Sequence, residues 1–262
     1  MAGVLPDGVS KVEPLVPGSP AIDFGHCSDV GRVRVRNEDA LHIDAQGHFV
    51  ALADGMGGYR GGDVAAGLAV ALVDRALDQM EEPGSLEATA RLLMFTIMDI
   101  NRQIYSTGRE IPSLSGMGST LVVAVFIGDK VLSAHVGDSR LYRLREGVLE
   151  QLTRDHTMLQ EQVDAGLIDV EEARHMSYRG LLTRGLGVGE EVMPDLGCHE
   201  ALPGDLFLLC SDGLTDMVGD EMIARLMGSG EGVQAIAEAL VAEANRCGGR
   251  DNVSAIVARL VV

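Results

Sequence analysis

Hydrophobic positions along this chain fall into short apolar runs that glycine and aspartate interrupt. The runs at 49–53, 119–127 and 205–210 have the length of buried strands, and 119–127 is also rich in β-branched residues. Turn residues such as Asp44–Gly47, Gly128–Asp129 and Glu146–Gly147 separate neighbouring runs, which favours hairpins and an antiparallel meander. Further strands are predicted at 21–28, 41–44, 131–136, 141–145, 148–152 and 253–261.

Two consecutive segments instead repeat their apolar residues at helical spacing. The first helix is predicted over Asp63–Met80, with a stop at Pro83–Gly84. Ser85 is the predicted N-cap of the second helix. The predicted buried stripes are Val64, Leu68, Leu72, Ala76 and Met80, broadened by Val73 and Leu77, and then Leu93, Ile97, Ile100 and Ile104.

Two more helices are predicted at 220–227 and 233–246. Because strands and helices are segregated rather than alternating, we predict an α+β fold. Residues 1–20 contain four of the eight prolines and are expected to be a flexible tail before a single domain at 21–262. The polar stretch 156–180 is predicted to be a small inserted subdomain.

The charge balance excludes two classes of partner. Lys and Arg total 21 against 39 Asp and Glu, a net charge of −18, so we expect neither nucleic acid nor an anionic membrane to bind. The chain has no CxxC among its four cysteines, no transmembrane run and no leader pattern. We therefore expect reduced thiols and a cytoplasmic location.

Acidic residues stand where several apolar strands begin or end. Asp54 and Asp212 each follow an apolar run and precede a glycine, Asp138 follows another strand, and Asp251 precedes the last one. Taken singly, an Asp-Gly after a strand is typical of a turn. Four carboxylates converging at one sheet edge would repel each other unless divalent cations neutralised them. Oxygen ligands without His or Cys favour magnesium or manganese over zinc.

In this order the motifs make the chain resemble the metal-dependent protein Ser/Thr phosphatase family (PPM, or type 2C), in its stand-alone bacterial form. The resemblance extends over about residues 23 to 260. The matching segments are DVGRVRVRNEDA (29–40), LADGMGGYRGG (52–62), SGMGSTLV (115–122), HVGDSRLYRL (135–144), LTRDHT (152–157), LLTRGLG (181–187), LLCSDGLTD (208–216) and RDNVSAIV (250–257).

The resemblance implies a four-layer α-β-β-α sandwich, with two antiparallel β-sheets flanked by antiparallel helix pairs and a flap at about 156–180. It also implies two Mn²⁺ or Mg²⁺ ions, with a third, weaker site. By match, Asp54 would bridge both metals, Asp212 and Asp251 would hold one, and the Gly55 carbonyl would hold the other. The remaining matched positions are Glu38 and Asp39, acting through metal-bound waters, Asp138, at the third metal, and Arg34, at the phosphate.

The implied activity is hydrolysis of phosphoserine and phosphothreonine by in-line attack of a water that bridges the two metals. Expected partners are phosphorylated proteins, among them a bacterial Ser/Thr kinase and its substrates in signal transduction, and the protein is expected to be a monomer. Two alternatives stay open. One is a catalytically silent phosphatase-like binding module, which would be expected to have lost metal acids; the other is a metal-dependent phosphatase of small phosphoesters.

Three positions depart from the family pattern or lack a defined role in it. Tyr59 stands where the glycine turn usually ends in His, which puts any role of that His in proton traffic in doubt. Gly185 replaces the more common Ala in LTRGLG and predicts a loosened turn. His156, in LTRDHT, is expected to be structural or to position the flap.

Overall fold

Two antiparallel β-sheets stack face to face and carry helices on both outer faces. The computed structural model describes residues 10–12, 21–57, 61–78, 85–169, 172, 176 and 180–261. The strands are β1 (Ser10–Val12), β2 (Ile22–Asp29), β3 (Asp39–Ile43), β4 (Phe49–Met56), β5 (Gly118–Ser119), β6 (Leu121–Ile127), β7 (Lys130–Val136), β8 (Arg140–Arg145), β9 (Val148–Gln151), β10 (Asp195–Glu200), β11 (Leu206–Cys210) and β12 (Val253–Leu260). The helices are α1 (Gly62–Asp78), α2 (Leu86–Glu110), α3 (Met158–Asp164), α4 (Asp212–Thr215), α5 (Asp220–Met227) and α6 (Val233–Arg246).

The strand order confirms the predicted four-layer sandwich. The first sheet runs β1-β2-β12-β11-β8-β9, and the second runs β10-β7-β6-β4-β3 with β5 paired to β4. Three apolar layers fill the spaces between the four layers of structure. Between the sheets, the Phe126 ring lies edge-on to those of Phe24 and Phe207, each at 5.9 Å. The other two layers lie under α1 and α2 on one side and under α4 to α6 on the other.

The predicted buried stripe of the first helix is wrong in part: Val73 and Leu77 are buried as predicted, but the rest of the contact face differs. Val64 is 40% exposed and Leu68 is half-buried, whereas Ala65, Ala66 and Ala69 are fully buried. These alanines allow α1 to lie close against β3 and β4, so short side chains occupy the contact face. Met80 and the stop at Pro83–Gly84 lie outside the described residues. On α2, the Ser85 side chain accepts from the Ala88 amide and all four predicted core residues are buried.

The predicted continuous meander is also wrong at one point. β7 belongs to the second sheet and β8 to the first, so the chain crosses between sheets at Gly137–Ser139. Gly137 has φ +103, and a Cβ there would meet the Thr120 side chain at 2.7 Å, which explains the glycine. This crossing places Asp138 in the interior, 9% exposed, rather than on a surface turn.

Two strands were not expected from the sequence. β10 pairs with β7 at the edge of the second sheet, and its sequence DLGCHE has no apolar run to indicate a strand. Ser10–Val12 pairs with Ile22–Phe24, within the segment predicted to be a flexible tail. The other residues of 1–20 lie outside the described part of the chain. Across the described ranges, no helix has the length and apolar content that crossing a bilayer requires.

Candidate metal centre

Asp39 and Asp54 bring two carboxylates together at one end of the second sheet. They are register partners in the β3–β4 pair. The backbone of Asp54 is held from two directions, because its amide donates to Thr120 Oγ1 at 3.0 Å and its carbonyl accepts from the Thr120 amide and the Ser119 hydroxyl, both at 2.9 Å. The carboxylate of Asp54 is thereby fixed in position without using its own oxygens for the anchoring.

The first sheet brings Asp212 and Asp251 to the same place. Asp212 opens α4 just after β11, and Asp251 stands just before β12, the strand paired with β11. The carboxyl groups of Asp212 and Asp54 lie within hydrogen-bond range of each other. The edges of both sheets therefore meet at a single cluster of carboxylates.

Burial and mutual repulsion shift the titration of this cluster. Burial, followed by the charges of Asp39, Asp212 and Asp138, raises the pKa of Asp54 well above its usual value. Burial, followed by neighbouring carboxylates, does the same to the pKa of Asp212. Burial also raises the pKa of Asp39 to about 6 and that of Asp138 to about 7. Such a group is costly to ionise without a compensating positive charge.

The hydrogen bonding of Asp39 indicates what would supply that charge. Its Oδ2 accepts from the hydroxyls of Ser211 at 2.9 Å and Ser254 at 2.6 Å. Its Oδ1 is buried and has no hydrogen-bond partner among the described residues. A buried carboxylate oxygen without a partner is unfavourable. Divalent cations, directly or through their water ligands, would satisfy it, so this all-oxygen set fits magnesium or manganese.

Two glycines let Glu38 and the Gly55 carbonyl approach the cluster. A Cβ at Gly62 would lie 2.7 Å from Glu38 Oε2 and 2.8 Å from the Gly55 oxygen. A Cβ at Gly55 would lie 2.6 Å from the Glu38 carbonyl oxygen, to which the Gly55 amide donates at 3.2 Å. Only glycine fits at either position, and the start of α1 therefore packs directly onto the end of β4.

Arg34 lies at the rim of the cluster on the loop between β2 and β3. Its Nη2 donates to Asp251 Oδ2 at 2.6 Å. This bond is the main reason that the pKa of Arg34 is raised. The side chain remains 56% exposed, so its other N–H groups are open to a ligand. The phosphate-binding role of Arg34 stays a prediction.

Sequence reasoning missed Asn252, which holds the Arg34 loop in place. Its Nδ2 donates to the carbonyls of Val30 at 3.0 Å and Arg36 at 2.8 Å, and its Oδ1 accepts from the Glu38 amide at 2.9 Å. One side chain thus joins both ends of the loop to the start of β12. The Asn in RDNVS is the only signal in the sequence, and nothing there shows the distant backbone groups that it binds.

A second cluster, formed by His135, His156 and Asp195, has ligand atoms within 4.8 Å of one another. The hydrogen bonds argue against a metal there. The Gly137 amide donates to His156 Nδ1 at 3.1 Å, so a neutral ring must carry its proton on Nε2, 3.4 Å from Asp195 Oδ2. That proton occupies the position that a metal would need. The His156 amide also donates to the Gly137 carbonyl at 3.0 Å, so His156 braces the turn that presents Asp138.

Of the two departures from the family pattern, only Gly185 lies in the described part of the chain. Tyr59 lies outside the described residues. A Cβ at Gly185 would lie 2.5 Å from Met56 Cε and 3.1 Å from Val188 Cγ2. Both atoms belong to the ends of side chains that can move aside, so the contact alone does not require glycine, and the loosened turn stays a prediction.

Comparison with known proteins gives consistent matches. The sequence model of the family described as Protein phosphatase 2C matches residues 32–243. The chain is 43% identical over 234 residues to the serine/threonine protein phosphatase PstP of Mycobacterium tuberculosis, covering 89% of this chain and 44% of PstP. It is 37% identical over 234 residues to the serine/threonine phosphatase stp of Listeria monocytogenes, covering 88% of this chain and 92% of stp. The chain therefore spans less than half the length of PstP.

Solved structures agree with these matches. A crystal structure of the catalytic domain of PstP in complex with two manganese ions superposes with a TM-score of 0.82 at 40% identity, covering 92% of this chain and 99% of that one. The serine/threonine phosphatase Stp1 from Staphylococcus aureus gives a TM-score of 0.85 at 29% identity, covering 98% of this chain and 100% of that one. The likeness thus extends over the whole sandwich.

Proposed function

Because this chain belongs to the protein phosphatase 2C family, we propose that it is a metal-dependent protein serine/threonine phosphatase. The observation that carries the proposal is the carboxylate cluster at the meeting point of the two sheets, where Asp39 Oδ1 is buried and has no hydrogen-bond partner in the described part of the chain. A catalytically silent binding module would have little reason to keep these costly groups. The names of the relatives and the two manganese ions bound to the PstP catalytic domain support the enzymatic alternative.

The proposed ligands of the two divalent cations are Asp54, Asp212, Asp251 and the Gly55 carbonyl. Asp39 and Glu38 contribute through water, and Asp138 contributes to a third, weaker site. When bound, the cations lower the pKa of a water molecule and stabilise the charge that develops on the transferring phosphoryl group. Mn²⁺ and Mg²⁺ are both compatible with ligands of this kind.

The protein's own side chains orient the substrate. Arg34 offers a planar fork of N–H groups to the phosphate oxygens, and it cannot lose its proton near neutral pH. Its bond to Asp251 holds the guanidinium at the rim before substrate arrives. Asn252 keeps the loop that carries Arg34 in register with β12. The fixed backbone of Asp54 keeps the central carboxylate pointed at the site during the reaction.

We further propose phosphorylated proteins as the substrates, and a Ser/Thr kinase and the targets of that kinase as the partners, within signal transduction in the cytoplasm. A cavity of about 890 Å³ adjoins Asp138 and Asp212. It has room for residues that flank a phosphorylated side chain and equally for a small phosphoester. The relatives named as serine/threonine protein phosphatases support protein substrates, and kcat/KM on the two kinds of substrate separates them.

Hydrolysis of phosphothreonine and phosphoserine peptides, measured with Mn²⁺, with Mg²⁺ and with chelator, tests the proposal. A small phosphoester measured in parallel separates the protein phosphatase from a small-molecule phosphatase. We expect turnover that requires a divalent cation and a higher kcat/KM on peptides than on the ester. Full activity in chelator, or turnover of the small ester alone, would reject it.

A further inference from the structure

A cavity opens beside the candidate metal centre, between α3 on one side and α4 and α5 on the other. Its volume is about 890 Å³. Asp138 and Asp212 line its inner end, while Thr157 and Gln160 line it from α3 and the cap of that helix. A substrate with its phosphate at the metal centre would therefore have neighbouring residues inside this cavity.

The wall formed by α4 and α5 carries unpaired negative charge. Asp216 and Glu221 are exposed, line the cavity, and have neither a hydrogen bond nor an ion pair from their carboxylates among the described residues. Asp220 accepts only from the neutral Tyr142 hydroxyl, at 3.3 Å. Arg225 is the one cation on this wall, in the described part of the chain, and its Nη2 donates to the Met222 sulfur. The wall keeps a net charge of about −2 when these groups are ionised.

Arg140 and Asp155, which also line the cavity, already compensate each other. Arg140 donates to Asp155 through Nε at 2.9 and 3.1 Å and through Nη2 at 2.7 Å. This buried pair satisfies itself, so it does not offset the charge of the outer wall. On the other side of the cavity, α3 and its cap (residues 157–164) contain no Lys or Arg, so they do not offset this charge either.

A part of the rim that does not line the cavity carries the opposite sign. Arg32, Arg34 and Arg36 are exposed on the loop between β2 and β3. Arg34 bonds Asp251, and both Arg34 and Arg36 act electrostatically on Glu38. The centre thus lies between a basic loop, suited to the phosphate, and an acidic cavity wall, suited to cations.

We propose that the cavity binds a lysine- or arginine-containing segment that flanks the phosphorylated residue, so that basic phosphoproteins are the preferred substrates. This rests on the proposed phosphatase function and deepens it. A cationic side chain placed against Asp216 and Glu221 would pair charges that lack a partner among the described residues. Complementary charge also speeds encounter and discriminates against acidic sequences, despite the strongly negative protein.

Matched phosphothreonine peptides test the preference. Three sets share one core and differ only in having Arg, Ala or Glu at the flanking positions, on either side of the phosphothreonine. We expect kcat/KM in Mn²⁺ to fall in the order Arg, Ala, Glu, by about two- to fivefold per charge, the range of exposed pairs. The differences should shrink as salt rises towards 1 M, where the Debye length is about 3 Å.

Charge reversal locates the preference in the cavity. Glu221→Lys should remove most of the advantage of the Arg peptides and leave turnover of a small phosphoester unchanged. Glu87→Lys is the matched control, because Glu87 is also an exposed acid in the first turn of a helix but does not line the cavity. It should leave the peptide preference intact. Glu221→Gln, which keeps the size of the side chain, should give an intermediate loss.

Two kinds of failure are distinguishable. If no phosphorylated compound is hydrolysed with either metal, the phosphatase proposal fails and the substrate preference fails with it. If peptides are hydrolysed with equal kcat/KM for Arg and Glu flanks, or if the Arg preference survives Glu221→Lys, the phosphatase stands and the basic-segment proposal is overturned.

Discussion

Asp39 and Asp54 lie directly opposite each other in the β3–β4 register, so two carboxylates share one buried site. Like charges placed opposite each other weaken a strand pair. Here the serine hydroxyls of the first sheet bind only one oxygen of Asp39. The arrangement lowers the stability of the protein alone and increases what it gains by binding cations.

Replacing the central carboxylate should therefore have opposite effects on stability and on activity. In chelator, Asp54→Asn should be at least as stable as the wild type, because one repulsive buried charge is gone. With Mn²⁺ the wild type should gain thermal stability and the variant should gain little. Phosphopeptide turnover should drop roughly a hundredfold or more, since a metal supplies several kcal/mol of transition-state stabilisation.

Thermal unfolding with and without Mn²⁺, alongside phosphopeptide kinetics, measures both effects. Asp129→Asn, at a side chain that is 79% exposed, is the control and should behave as the wild type. A variant that keeps the full Mn²⁺-dependent shift in Tm would contradict the assignment of Asp54 as a metal ligand.

Arg34 gives a second prediction, which concerns substrate affinity. Arg34→Ala should reduce kcat/KM on phosphopeptides about 10- to 100-fold, the range expected for a hydrogen bond to a charged group. Arg34→Lys should recover only part of this, because an ammonium cannot bind two phosphate oxygens as a fork does. Mn²⁺ binding, followed by the shift in Tm, should persist in both variants.

Arg32→Ala serves as the matched control in the same loop. Arg32 is exposed, its Nη1 lies 4.0 Å from Asp29 Oδ1, and within the described ranges its side chain forms no hydrogen bond or ion pair with the carboxylate cluster. If Arg32→Ala and Arg34→Ala lowered kcat/KM by equal factors, the loop would act through its total positive charge and not through a specific bond from Arg34 to the phosphate.

Much of the fold was predictable because the apolar runs are long and the turns are clear. Asp54 and Asp212 could be predicted as partners, since each ends a buried strand in the same Asp-Gly pattern. The strand β10 and the contact face of α1 could not. β10 (DLGCHE) has one large apolar residue, Leu196, and α1 buries alanines, which contribute little to a hydrophobic stripe.

The residues that hold the carboxylates in place were less predictable from the sequence than the carboxylates themselves. At the crossing, the Thr120 side chain leaves no room for a Cβ at position 137, and Thr120 lies on a different part of the chain. The ion pair of Arg34 with Asp251 joins residues 217 positions apart. Local pattern contains no information on such contacts, so residues that hold the ligands in place were the ones missed.

Asn252 gives a third prediction, which separates positioning from direct contact with substrate. Asn252→Ala removes three hydrogen bonds to the loop between β2 and β3 and leaves their backbone groups unpaired. We expect a loss of about 1–3 kcal/mol in the free energy of unfolding. We also expect a lower kcat/KM on phosphopeptides, because Arg34 is no longer held at the rim.

Urea unfolding and peptide kinetics check this pair of effects. Asn252→Asp keeps the acceptor for the Glu38 amide but turns a carboxylate oxygen towards the carbonyls of Val30 and Arg36, so it should be at least as destabilised as Asn252→Ala if the two donated bonds matter. Wild-type stability and kinetics in Asn252→Ala would show that the loop is held by other contacts.

His156 gives a prediction about pH. Burial, followed by the neighbouring rings and charges of His135 and Arg184, lowers the pKa of His156 from 6.5 to about 4, against an opposing effect of Asp195. Between about pH 6.5 and 4 the unfolded chain therefore binds a proton at this residue that the folded protein does not bind. Stability must fall as the pH drops through this window, by up to about 1.4 kcal/mol per pH unit for this one group.

In the fold, the ring cannot accept a proton without losing a contact, because Nδ1 already accepts from the Gly137 amide. His156→Asn keeps an acceptor near that position and cannot titrate. The difference in unfolding free energy between wild type and variant, measured in urea at half-unit steps from pH 4 to 7, should shrink steadily towards low pH. Since both proteins share every other titrating group, a constant difference across that range would show that the His156 ring is protonated as easily in the fold as in the unfolded chain.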